Sequence, residues 1–139
     1  PDASTAYLAL GEIYRQQKNY SAAEEVLLQG LKLKDQSAAG HFALAKVYFE
    51  KAPSTGDETR FRQSLESSWK EVNRALELDP KLARAHLLAG DLLLRARHAK
   101  EALGHFEEYL KLEPNGELAD QTRTMVEKIK KALSESKSS

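Results

Sequence analysis

Apolar residues along this chain recur at helical spacing. Tyr20, Ala23 and Leu27 stand at i, i+3 and i+7, and Phe61, Leu65, Trp69, Val72 and Leu76 hold one longer stripe. Residues so spaced share one face of an α-helix. The stripes are separated by helix start and stop signals. Ser21 with Glu24, following a break at Lys18-Asn19, has the spacing of a capping box, and so does Thr55 with Glu58. Asp79-Pro80 and Glu113-Pro114 end helices, because a residue preceding proline is pushed out of the helical region. Strand-favouring runs of Val, Ile and Thr are absent. The pattern predicts an all-α chain of seven helices.

The helices form an internal repeat. Leu10-Gly11-x-x-Tyr14 aligns with Leu44-Ala45-x-x-Tyr48 and with Ala89-Gly90-x-x-Leu93; the small residues are 34 and then 45 positions apart. The second halves follow. Ala23, Ser68 and Ala102 share one place, Leu27, Val72 and Phe106 another, and Gly30, Ala75 and Tyr109 a third. Pro80 and Pro114 close two units, with Asp35 at the matching place in the first. Glycine inside a helix costs about 1 kcal/mol relative to alanine. Gly11 and Gly90 therefore mark places where a neighbouring helix backbone leaves no room for a side chain.

A small residue and an aromatic on a first helix, small-large-small on a second, then proline: the chain resembles the tetratricopeptide repeat family. The resemblance covers three units, 4–37, 38–82 and 83–116, within a single domain spanning 1–139. The middle unit carries an insertion of 11 residues near 52–62. The first unit departs from the family at Gly30 and at Asp35, and the third at the bulky Tyr109. The family fold implies an α–α superhelix of three helical hairpins, right-handed, with first helices lining a concave side. Residues 117–133 supply a capping helix through Leu118, Met125, Val126, Ile129 and Leu133, with Glu127, Lys128, Lys130 and Lys131 on its wet side; 134–139 read as a disordered polar tail. Pro1 stands ten residues before Gly11, as Pro80 stands before Gly90, so the alignment places a further repeat upstream. Thr55 starts a second helix running over 58–78, longer than its counterparts, with Trp69 partly buried against the first helix of its repeat.

Composition narrows the function. Charges balance at 21 basic and 21 acidic residues, which draws the chain towards neither nucleic acid nor an acidic membrane. Cysteine is absent, so thiolate metal sites, disulfides and a cysteine nucleophile are excluded. No apolar run approaches the roughly 18 residues that span a bilayer. Neither a cytoplasmic nor an exported location is favoured. His41 and His86 share a packing place in the repeat, and His98 and His105 lie seven apart without the further ligands a metal needs. There is no phosphate loop and no nucleophile elbow. The reading is a chain without catalytic residues, metal or cofactor.

The repeat alignment assigns a ligand groove. The first unit contributes Thr5, Leu8, Glu12, Arg15 and Gln16, the second Ala39, Phe42, Lys46, Phe49 and Glu50, and the third Arg84, Leu87, Asp91, Leu94 and Arg95. Leu8, Phe42, Phe49, Leu87 and Leu94 are apolar on that face, and a contiguous apolar patch marks an interaction site. Some family members clamp the carboxylate tail of chaperones. At the matching places this chain has Leu8, Glu12, Ala43, Arg84 and Leu88, of which Arg84 alone fits. The expected role is a protein- or peptide-binding scaffold whose ligand has apolar anchors and mixed charge. The alternatives are a self-oligomerising structural segment and a module that positions a separate enzyme domain.

Overall fold

The computed structural model describes residues 2–53 and 56–138. Among them run seven helices: α1 (Ala3–Gln16), α2 (Tyr20–Leu33), α3 (Ala38–Lys51), α4 (Glu58–Leu78), α5 (Ala83–Arg95), α6 (Ala99–Leu112) and α7 (Ala119–Ser138). They fall into two compact units, divided between Pro80 and Lys81. The first holds the hairpins α1–α2 and α3–α4, with α3 packed on both α1 and α2. The second holds the hairpin α5–α6, with α7 packed on α6.

Local chemistry sets most helix ends. Asp2, Asn19, Ser37 and Asp57 each accept a hydrogen bond from the backbone N–H three residues on, starting α1 to α4. The cap of α2 is thus Asn19, and Ser21 lies inside the helix. Thr55 and Pro1 lie outside the described residues; α4 is capped by Asp57. α4 has 21 residues where α2 and α6 have 14, about 31 Å at 1.5 Å per residue, and Trp69 is half-buried along it. Helices α4 and α6 stop at Leu78 and Leu112, one residue before Asp79-Pro80 and Glu113-Pro114. Lys18 and Arg97, equivalent in the alignment, both adopt positive φ (61° and 64°) just beyond a first helix. There Asn19 and His98 donate back to the carbonyls of Tyr14 and Leu93 and close the helix end.

Hairpins close on complementary volumes. A Cβ at Gly11 would stand 2.5 Å from Leu27, and one at Gly90 2.7 Å from the Phe106 ring. The obstacle is therefore a large side chain on the facing helix, not its backbone. In the second unit of the repeat the pair is Ala45 with Val72, both fully buried. Ser68, in the place of Ala23 and Ala102, is also fully buried, and its hydroxyl donates to the Ala45 carbonyl at 2.7 Å. Tyr109 fits its small-residue place by reaching over Gly116, where a Cβ would meet its hydroxyl at 2.8 Å.

The last helix differs from its sequence reading. Its buried stripe is Ala119, Thr122, Val126 and Ile129, while Met125 is exposed. Met125 sits one position, about 100°, off that stripe. The helix also runs through residues 134–138, which read as a disordered tail. No proline or glycine interrupts 119–138, so nothing breaks the helix there.

Candidate interaction surface

In the first unit, α1 and α3 lie side by side and bring five of the sequence-assigned residues together. Glu12 accepts from Arg15 Nε at 3.1 Å and from Lys46 Nζ at 3.3 Å. The Arg15 Nη1 donates to Glu50 at 2.6 Å. Lys46 Nζ stands 4.9 Å over the Phe42 ring, a cation–π distance. The Arg15 and Lys46 cations hold the Glu12 carboxylate down to about 2, and Glu12 and Glu50 push Arg15 further up. These four charges cancel one another in place. Leu8 is half-buried against the core made by Leu27, Ala43, Leu44 and Val47. Phe42 and Phe49 are half-buried too. The apolar residues of this face thus fill space between neighbouring first helices as well as edge the surface. Thr5 and Gln16 are exposed, and Thr5 is engaged with the Asp2 cap.

The second unit carries its own share on α5. Leu87 and Leu94 are half-buried; Arg84, Asp91 and Arg95 are open to solvent. Desolvation by its neighbours raises the Asp91 carboxyl above its ordinary value, against the pull of Arg95. Arg84 forms an exposed ion pair with Glu117, 3.3 Å away. The single side chain that matched a carboxylate clamp is therefore already engaged.

Sequence reasoning missed two arrangements. The first is a polar cavity of about 640 Å³ in the first unit, walled by Glu24, Tyr48 and Lys51 on one side and by the extended N-terminal turns of α4 (Arg60, Gln63, Ser64) on the other. Lys51 donates to Glu24 at 2.8 Å, and Tyr48 does so at 3.3 Å. Burial and the nearby Glu24 push the Tyr48 hydroxyl up to about 12. The second is a pair of histidine sites. His41 Nδ1 lies 2.6 Å from Glu71 and its Nε2 2.8 Å from the Asp35 carbonyl. His86 and His105 meet through their Nδ1 atoms at 3.0 Å. His41 aligns with His86, and Glu71 with His105, so the repeat could have signalled both. His98 and His105 do not meet: His98 is the exposed residue that starts α6. Among the described residues no group of three or more His, Cys, Asp or Glu could hold a metal.

A family model described as tetratricopeptide repeat matches residues 4–47, the α1–α2 hairpin and most of α3. Residues 4–47 thus carry a tetratricopeptide repeat. Solved structures of tetratricopeptide repeat domains share the fold across nearly the whole chain. The first such domain of Spaghetti (RPAP3), bound to the HSP90 peptide SRMEEVD, is 20% identical over 95% of this chain and 96% of that one, with a TM-score of 0.78. The chaperone SycD of Yersinia enterocolitica, in complex with a peptide of the translocator YopD, is 18% identical over 91% of each chain, with a TM-score of 0.74. The complex of the TPR2B domain with pHsp70, from yeast Sti1, is 16% identical over 94% of this chain and 98% of that one, with a TM-score of 0.76. No curated protein matches the chain significantly.

Proposed function

We propose that this chain is a protein- or peptide-binding scaffold, with the ligand lying along the first helices of its repeats. The observation that carries this reading is the fold, which it shares with domains solved with peptides bound to them. The proposed contact residues are Leu8, Glu12, Arg15, Phe42, Lys46 and Phe49 in the first unit and Arg84, Leu87, Asp91, Leu94 and Arg95 in the second. The charges of the first unit already satisfy one another, so a ligand gains little by replacing those pairings. Its affinity comes from apolar anchors seated beside Phe42 and Phe49, and the charges select against mismatched partners. This favours an extended segment or an amphipathic helix of mixed charge. The arrangement supports binding and not catalysis, because the charged groups point at one another and not at a shared vacant position. No described helix is long and apolar enough to cross a membrane.

Affinity capture with the intact chain supplies the ligand, and calorimetric titration of parent and variants tests the surface. Phe42→Ala and Phe49→Ala should each weaken binding by about 1–3 kcal/mol while helix content is retained. Binding as tight as the parent's in the double variant refutes this placement.

A further inference from the structure

Two histidines from facing helices meet inside the second unit. His86 of α5 and His105 of α6 stand with their Nδ1 atoms 3.0 Å apart, their ring centroids 5.2 Å apart and their planes tilted by 36°. One proton serves this contact: one Nδ1–H donates and the other Nδ1 accepts. At the equivalent place of the preceding hairpin a carboxylate answers the imidazole, Glu71 facing His41 at 2.6 Å. That pairing is complementary in charge. Two imidazoles lack such complementarity. What they share is ligand chemistry, because a neutral imidazole nitrogen binds transition metals.

The spacing suits such an ion. Two metal–nitrogen bonds of about 2.0–2.1 Å, opened at about 90–95°, set their nitrogens about 3.0 Å apart. A tetrahedral angle would need about 3.3–3.4 Å. The contact therefore matches two neighbouring corners of a square-planar or tetragonal centre, the geometry of Cu2+ and Ni2+ and not of Zn2+. The helices hold the rings for it. Gly90, one turn after His86, lies so close to the Phe106 ring that a Cβ there would stand 2.7 Å away. This approach fixes the two backbones beside the pair. His86 is buried and His105 half-buried, so solvent reaches the pair over the His105 ring. Glu108, one turn along α6, adds negative charge beside His105. No third protein ligand stands there among the described residues, so water fills the remaining corners.

We propose that His86 and His105 form a two-histidine site for a divalent transition-metal ion of the Cu2+ or Ni2+ type, which clips α5 to α6. On binding, the donating ring gives up its Nδ1 proton and takes one at its own Nε2 through water. Both Nδ1 lone pairs then face the ion, and both rings stay neutral. An ion that binds the folded hairpin and not the unfolded chain stabilises it by mass action.

The test is calorimetric titration of the intact chain with NiCl2 and with CuCl2, read beside thermal melts with and without metal. One equivalent should bind at the pair, Cu2+ more tightly than Ni2+, and Mg2+ should not compete. The melting midpoint should rise with metal concentration. Groups behind a ligand are worth about 10–100-fold in metal affinity. Removing a ligand itself, by His86→Gln or His105→Gln, should therefore weaken binding by more than about tenfold and abolish the melting shift. His41→Gln and His98→Gln should leave both unchanged. Circular dichroism without metal establishes that each variant is folded; should the buried His86→Gln fail, His105→Gln decides alone. Binding unchanged in His105→Gln overturns the proposal. So does a loss spread evenly over all four histidine variants, which marks adventitious surface coordination only, and so does a parent whose melting midpoint ignores the metal.

Discussion

The hairpins α3–α4 and α5–α6 solve the same packing problem with different side chains. At the closest approach of the two helices one uses Ala45 and Val72, the other Gly90 and Phe106. Where the helices meet again, one sets His41 on Glu71 and the other His86 on His105. On the proposed binding face, Lys46 and Glu50 of α3 are replaced by Asp91 and Arg95 of α5, the same pair with its signs exchanged. Volume is conserved as a sum over two positions, and charge is not conserved at all. The fold therefore constrains pairs of residues on facing helices and leaves the electrostatics of each hairpin free.

Truncating the large member of each packing pair should break this comparison most. Phe106→Ala should cost about 3–5 kcal/mol, because the ring fills the space that Gly90 leaves. Val72→Ala removes two methyl groups and should cost about 2 kcal/mol. Urea unfolding, followed by a signal from each unit, measures both. Equal losses would mean that the two approaches are not volume-matched.

A smaller effect isolates the pairing. Gly90→Ala places a Cβ against the Phe106 ring, and the strain, about 1–3 kcal/mol, outweighs the roughly 1 kcal/mol gain in helix propensity. With Phe106→Val the third hairpin acquires the pair of the second, and Gly90→Ala should then be tolerated or stabilising. The double-mutant cycle should give a coupling of about 1 kcal/mol or more. Additive effects would show that the glycine is not answering the ring.

The histidine pair of α5 and α6 makes stability depend on pH. Desolvation, then the neighbouring His86, lowers the His105 pKa below its ordinary value of 6.5, with Glu108 acting the other way. The folded state then binds fewer protons than the unfolded chain. The stability so gained is present above about 6.5 and is lost as pH falls below it. The melting midpoint should drop between pH 7 and pH 5, and His105→Glu, which installs the residue found at Glu71, should remove that drop. A parent that melts alike at both values contradicts the lowered pKa.

Surface charge should matter least. Lys46→Gln removes one partner of Glu12 at a partly exposed site where Arg15 remains as a second partner, so stability should fall by about 1 kcal/mol or less, and by less again in high salt. A larger, salt-insensitive loss would mean that Lys46 acts through its stem on Phe42 instead.

Much of this architecture was legible in the residues. Asp79-Pro80 and Glu113-Pro114 end their helices, α4 spans the expected 58–78, and Gly11 and Gly90 stand at close approaches. These features depend on the order of neighbours along the chain, through backbone preference and helical period. The groove residues were legible as a face and not as a surface. Leu8 shares the face of Glu12, yet it packs into the core between α1 and α3.

The sequence by itself determined that helices form, that α4 and α6 stop before Asp79-Pro80 and Glu113-Pro114, and most of their apolar faces, because each follows from interactions within one or two turns. The caps of α2 and α4 and the length of α7 did not follow from it. Only the tertiary structure decided who pairs with whom. Arg15 meets Glu50 and His41 meets Glu71 across 35 and 30 residues of chain. His105 turns to His86 and not to His98, and the α4 extension forms one wall of an open cleft with Tyr48 and Lys51. Helical period orients a side chain about its own axis, but its partner is set by the neighbouring helix that happens to lie there.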